Sequence, residues 1–135
     1  MQTDNVILQI MNELTSISSM FSTRTREIKN DLKIDKFIYD CGINSVIDQP
    51  VVSWDAEFHV DDERYFVLSI GLFRENQDIK LSCSIEKSIG GCEHETVDAM
   101  EISAIKSTTE LGVAIDHANN WFKSHSYQDI CVKLP

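Results

Sequence analysis

Glycine and proline are scarce in this chain, at five and two among 135 residues. So low a content of both leaves little room for long disordered tracts or flexible linkers. No apolar run approaches the roughly 20 residues that a membrane-spanning helix needs. The opening MQTDNVILQI has an acid at Asp4 and no basic stretch, so it does not read as a signal peptide. No Cys-x-x-Cys occurs. Cys41, Cys83, Cys92 and Cys131 are widely spaced, which removes the common zinc and redox spacings, and reduced thiols in a cytoplasmic protein are expected. The glycines form neither a dinucleotide-binding nor a P-loop pattern, and no Gly-x-Ser-x-Gly elbow is present. The expectation is a protein that is not an enzyme and uses no cofactor and no metal.

Basic charge is also short. Twelve Lys and Arg face 22 Asp and Glu, for a net charge of −10. Such a molecule repels phosphate, so neither nucleic acid nor an anionic membrane is an expected partner. The excess is local: residues 51–101 hold twelve acids and four bases, whereas residues 102–135 hold three of each.

What is present is periodic. Val6, Ile7, Ile10, Leu14, Ile17 and Phe21 recur at steps of three and four, the pattern of a helix with one buried stripe, capped by Thr3 or Asp4. Thr25–Tyr39 extends the helical pattern, as one helix or two, with Ile28, Leu32 and Ile38 as core candidates and Cys41-Gly42 as its end. After Gln49-Pro50, the apolar positions Val52, Trp54, Ala56, Phe58 and Val60 alternate with Ser53, Asp55, Glu57 and His59. A period of two makes this a strand with one dry face and one wet face. Phe66, Leu68, Ile70 and Leu72 repeat the pattern beyond the turn Asp61–Arg64, and Ile79, Leu81, Cys83 and Ile85 repeat it beyond the turn Glu75–Asp78. Gly90-Gly91 interrupts the alternation, and a fourth strand is expected within 95–105, using Val97, Met100, Ile102 and Ala104.

Ser107-Thr108-Thr109-Glu110 is a capping box, and a helix over 107–123 would bury Leu111, Ala114, Ile115, Ala118, Trp121 and Phe122. Residues 129–134 read as a possible edge strand. The fold class is therefore α+β in a single domain over 1–135, helical over 1–40. An antiparallel sheet of three to five strands over 50–105 has the N-terminal and C-terminal helices packed on one face.

Four constellations could carry chemistry. Asp55, Glu57 and His59 share one strand face and lead into Asp61, Asp62 and Glu63, either as a solvated face or as a docking surface for a basic partner. Cys92, Glu93, His94 and Glu95 put a thiol, an imidazole and two carboxylates on what reads as a polar loop. His117 and His125 lie on or near the last helix without a metal-protease spacing. Arg26, Lys29, Lys33 and Lys36 would share one helix face beside Glu27, Asp31 and Asp35.

In size, in acidity and in the acidic segment SWDAEFHVDDER, the chain resembles the small cytosolic immunity proteins of bacterial contact-dependent growth-inhibition and polymorphic-toxin systems. The resemblance implies a complex with a basic, nuclease-type toxin domain whose cationic site is covered by acidic side chains. The partner-binding set on this reading is Asp55, Glu57, His59, Asp61, Asp62 and Glu63, with Glu93, Glu95 and Asp98 as a second patch. Trp54 or Tyr65 could anchor the contact, with a core position favoured for Trp54, and a monomer is expected. The alternative is a dimeric adaptor similar to type III secretion chaperones, which binds an effector segment in an apolar groove.

Overall fold

The apolar stripe of the N-terminal third winds into one continuous helix, α1 (Gln2–Leu32), in a computed structural model that describes residues 2–43, 50–90 and 92–135. For residues 2–8 and 10 only the backbone is described, so the expected contributions of Thr3, Asp4, Val6, Ile7 and Ile10 lie outside the described side chains. Ile17, Phe21, Thr25 and Ile28 are buried along one side. The Ser/Thr-rich middle does not break the helix because its hydroxyls bond back to the turn before. Thr15 Oγ1 donates to the Met11 carbonyl at 2.8 Å, and Ser16 Oγ to that of Asn12 at 2.9 Å. The buried Thr25 donates to the Phe21 carbonyl at 2.8 Å, so a polar residue sits in the core stripe without an unsatisfied group.

The helix ends earlier than its periodicity suggests. Lys33 takes a left-handed backbone, φ 55°. Ile34 N–H then reaches back to the Lys29 carbonyl at 3.1 Å, and Lys33 N–H to that of Asn30 at 3.2 Å. This is the Schellman closure, with buried Ile34 packing just beyond it. The expected helix to Tyr39 is thus replaced by a strand, β1 (Lys36–Ile43), and Cys41-Gly42 lies inside that strand rather than at a helix end. Phe37, Ile38 and Tyr39 are strand formers, and the stop signal was hidden because a lysine holds the position where glycine is usual. Ile38 is not core; it is 45% exposed.

Four further strands follow: β2 (Val52–His59), β3 (Tyr65–Glu75), β4 (Asp78–Gly90) and β5 (Glu93–Ile105). They form a five-stranded antiparallel meander in the order β1-β2-β3-β4-β5. Its dry face is the expected one: Trp54, Ala56, Phe58, Phe66, Leu68, Ile70, Leu72, Leu81, Cys83 and Ile85 are all buried. Burying each of the larger side chains contributes on the order of 2 kcal/mol. The β3–β4 hairpin turns at Asn76, φ 57°, a conformation that asparagine tolerates. β5 starts at Glu93, so Glu93–Glu95, expected as loop, pair with β4. The strand is bulged opposite Ile79/Leu81 and Ile85/Glu86, and a third register shift, at Ser88/Gly90, places its extra residue on β4. These shifts explain why its apolar alternation is faint: Val97 and Ala104 are exposed, while Met100 and Ile102 are half-buried.

Ser107 caps α2 (Thr108–Lys123) by accepting from Glu110 N–H at 3.1 Å. The Glu110 carboxylate takes the Lys106 N–H at 2.6 Å, one residue before the usual partner of a capping box. Leu111, Ala114, Ile115, Ala118 and Phe122 are buried as expected, and Phe122 meets Phe21 with ring centroids 5.7 Å apart. The tail is a short helix, α3 (Tyr127–Val132), and not an edge strand. Of two competing periods, the three-and-four spacing of Tyr127, Ile130 and Leu134 prevails over the alternation of Ile130, Val132 and Leu134. Ile130 and Leu134 are buried, and Val132 is exposed. All three helices lie on the dry face of the sheet.

Candidate functional site

With the helices on one side, the opposite face of the sheet is covered by no described element. The strand registers place two rows across it. Ile38, Glu57, Val67, Glu86 and Thr96 form one row, and Asp40, Asp55, Ser69, Ser84 and Ala99 form the next. Four carboxylates, Asp40, Asp55, Glu57 and Glu86, therefore gather around Val67 and Ser69. Asp40 and Asp55 are direct cross-strand partners, an unfavourable pairing of like charges. Asp55 is steadied by Ser69, whose Oγ donates to Oδ1 at 2.6 Å. Among the described residues, no Lys or Arg lies within ion-pair distance of any of the four.

At one end the face becomes aromatic and polar. His59 Nε2 lies 3.0 Å from Glu57 Oε2, and its ring stacks on Tyr65 at 4.6 Å. His59 is buried, and its Nδ1 has no partner among the described residues. The Tyr65 hydroxyl meets His94 Nε2 at 2.7 Å. Below them, buried Ser88 accepts the Tyr65 N–H at 3.0 Å and donates to the Glu63 carbonyl at 3.2 Å. Tyr65 is thus a half-buried aromatic set beside the carboxylates, whereas Trp54 lies in the core, as favoured from the sequence.

The remaining acids of the expected set are placed differently. Asp61 Oδ1 accepts from the N–H groups of Glu63 and Arg64 at 3.0 and 2.8 Å, and Oδ2 accepts from Arg64 Nε at 2.7 Å. The Arg64 guanidinium and these backbone donors hold the Asp61 carboxyl below the usual carboxylate range. Its role is to close the β2–β3 turn. Asp62 lies 3.7 Å from Lys36, and Glu95 lies 3.8 Å from Lys87.

Asp98 is opposite Ile85 and so shares the helix side of the sheet, where His125 Nε2 meets it at 2.8 Å. The His125 hydrogen bond holds the Asp98 carboxyl below its usual range. His125 Nδ1 faces the Trp121 carbonyl at 2.8 Å, so both ring nitrogens oppose acceptors, and both bonds form together only on a doubly protonated ring. Glu93, Glu95 and Asp98, expected as a second patch, lie on β5, apart from Asp55 and Glu57 on β2, with Asp98 on the helix side. The structure brings in Asp40 instead, which was hidden while its segment read as helix, and Glu86, which sits in the wet phase of β4.

The other constellations dissolve. His94 pairs with Tyr65, and Cys92 is exposed in the turn before β5. Among the described residues, no three His, Cys, Asp or Glu are placed to hold a metal ion. All four cysteines are free. Burial pushes the Cys83 thiol up to about 12 and raises that of Cys131. Burial, with Asp40 and Asp55 adding to it, also raises Cys41. Thiols held protonated in this way are poor nucleophiles. The basic stripe is split, since Arg26 and Lys29 lie on α1, Lys33 is in the left-handed cap and Lys36 opens β1. His117 is exposed on α2. Among the described residues, no helix is long and apolar enough to cross a membrane.

The chain matches no protein-family model, and no curated protein or solved structure is significantly similar to it. The geometry must therefore speak for itself. It offers an open, acidic, partly aromatic sheet face.

Proposed function

We propose that the chain is a binding protein that seats a basic protein partner on the open face of its sheet, as an immunity protein seats a nuclease-type toxin domain. The observation that carries this reading is the set Asp40, Asp55, Glu57 and Glu86. These four carboxylates share one face that no described element covers, and among the described residues no Lys or Arg lies within ion-pair distance of them. Holding like charges together costs stability that a cationic partner would return. A nuclease must display Lys and Arg to hold phosphate, and those groups pair strongly with carboxylates. Tyr65, stacked on His59 at the margin of the cluster, is the aromatic anchor. Asp61, Asp62, Glu95 and Asp98 stand outside this set, because each already has a cationic or imidazole partner within the chain. The reading requires no catalysis, and it sets the protein in the cytoplasm, where free thiols stay reduced.

One observation favours the adaptor reading in second place. A cleft of about 620 Å³ at the far end of the sheet is lined by Leu14, Val51, Val52, Leu72, Phe73 and Ile79 among others. Such a cleft would take an apolar segment of an effector.

Calorimetric titration against a basic, nuclease-type toxin domain tests the first reading. Neutralising Asp40, Asp55, Glu57 and Glu86 to their amides is expected to weaken binding at least tenfold, by loss of charge-assisted pairs. Asp61→Asn is expected to leave affinity unchanged. An affinity indifferent to the four-residue change would overturn the proposal.

A further inference from the structure

The two edges of the sheet are built differently. β5 is bulged at two places and carries Glu93, Glu95, Asp98 and Glu101, the devices that discourage a further strand from pairing. β1 has few such guards. Its pairing with β2 runs from Lys36 to Ile43 without a shift and contains no proline. Ile38 is 45% exposed and Tyr39 is 37% exposed on this edge. No described strand lies on its outer side.

The residues along β1 are complementary to themselves. In antiparallel pairing about Ile38, Lys36 faces Asp40 of a second copy, Ile38 faces Ile38, and Asp40 faces Lys36. The two-fold axis thus yields two opposite-charge cross-strand pairs around an apolar centre. On the helix side, Phe37 would face Tyr39 of the other copy. An aromatic row already crosses the sheet there: Phe66 stacks on Phe58 at 4.8 Å, Phe58 meets Phe37 at 5.2 Å, and the row stops at the edge.

We infer that β1 is the seam of a homodimer, in which the strand pairs antiparallel with β1 of a second copy about Ile38 to give one ten-stranded sheet. This inference departs from the monomer expected from the sequence. Each molecule carries a charge of −10, but repulsion between charges beyond about 8 Å is screened at physiological salt, so the local pairs decide the register. The open face stays uncovered on both copies, but Asp40 belongs to both surfaces, so the dimer is judged by the Lys36 and Asp40 swaps and the partner reading by Asp55, Glu57 and Glu86 as well.

Sedimentation equilibrium of the full chain at physiological salt tests it, with charge swaps. The wild type is expected to be a dimer at roughly 100 µM. Lys36→Asp places acid against Asp40, and Asp40→Lys places base against Lys36, so each is expected to weaken association roughly tenfold. The double variant Lys36→Asp/Asp40→Lys restores opposite charges and is expected to recover the dimer. Asp40→Lys also relieves the Asp40–Asp55 repulsion, so thermal melting at a concentration low enough for both proteins to be monomeric should show the variant at least as stable as the wild type. A wild type that remains monomeric, or a dimer that ignores the swaps, would overturn the inference. A monomer would leave this edge to a strand of another protein.

Discussion

If the open face holds like charges at a cost, neutralising one should stabilise the free protein. Asp40→Asn is the cleanest perturbation, because Asp40 is exposed on the edge strand and pairs across only with Asp55. Asp55 keeps its bond from Ser69 at 2.6 Å, so no buried group is orphaned. Directly opposed residues bring side chains to about 5 Å, and like charges there destabilise by roughly 0.2–1 kcal/mol. A gain of about 0.5 kcal/mol is expected, which raises the melting temperature by about 2 °C in a chain of this size.

Salt makes the test specific. The screening length falls from about 30 Å at 0.01 M to about 3 Å at 1 M. The wild type should therefore gain more stability from added salt than the variant, and the gap between them should close. Urea melts of both proteins at the two salt concentrations give the comparison. A variant less stable than the wild type, or a gap of equal size at both concentrations, would show that the repulsion is not what shapes this face.

Other expected outcomes follow from the same geometry. Lys33→Gly and Ala104→Gly, both at non-glycine positions with φ near 55°, are expected to gain about 0.5–1 kcal/mol each in urea unfolding. Phe58→Ala removes a fully buried ring from the middle of the aromatic row and should cost about 3–5 kcal/mol, enough to threaten folding. The Asp98 carboxyl sits below its unfolded value when folded, so its contribution is present above the unfolded carboxylate range and is lost as pH falls through the folded value. Asp98→Asn should therefore flatten the acid arm of a stability-against-pH curve. Under native conditions a thiol reagent at mildly alkaline pH should label exposed Cys92 quickly and buried Cys83 only on unfolding.

The middle of the fold was legible because β2, β3 and β4 alternate strictly and pair through short turns, so the pattern of burial can be read from residue types alone. Helix α2 was legible through Ser107 and Glu110. The helix–strand boundary at Lys33 was not, because a left-handed lysine carries no sequence mark and Ile28, Leu32 and Ile38 keep a tolerable helical spacing. That single misreading concealed β1, and with it Asp40 and the free edge. The bulges of β5 hid the opposite edge in the same way, since each inserted residue shifts the alternation. The acidic character of the site was visible in the composition of residues 51–101. Its membership was not, because only the strand registers decide which acids share a face, and only distances show that Arg64, Lys36, Lys87 and His125 already serve Asp61, Asp62, Glu95 and Asp98.

Chemical-shift mapping of this protein against a basic, nuclease-type domain bears most directly on the proposed binding face. The account predicts that the perturbed amides and side chains cluster on Asp40, Asp55, Glu57, Tyr65, Val67, Ser69 and Glu86. Shifts confined to the helix side, to the α1–α2 surface or to the β2–β3 turn would contradict it.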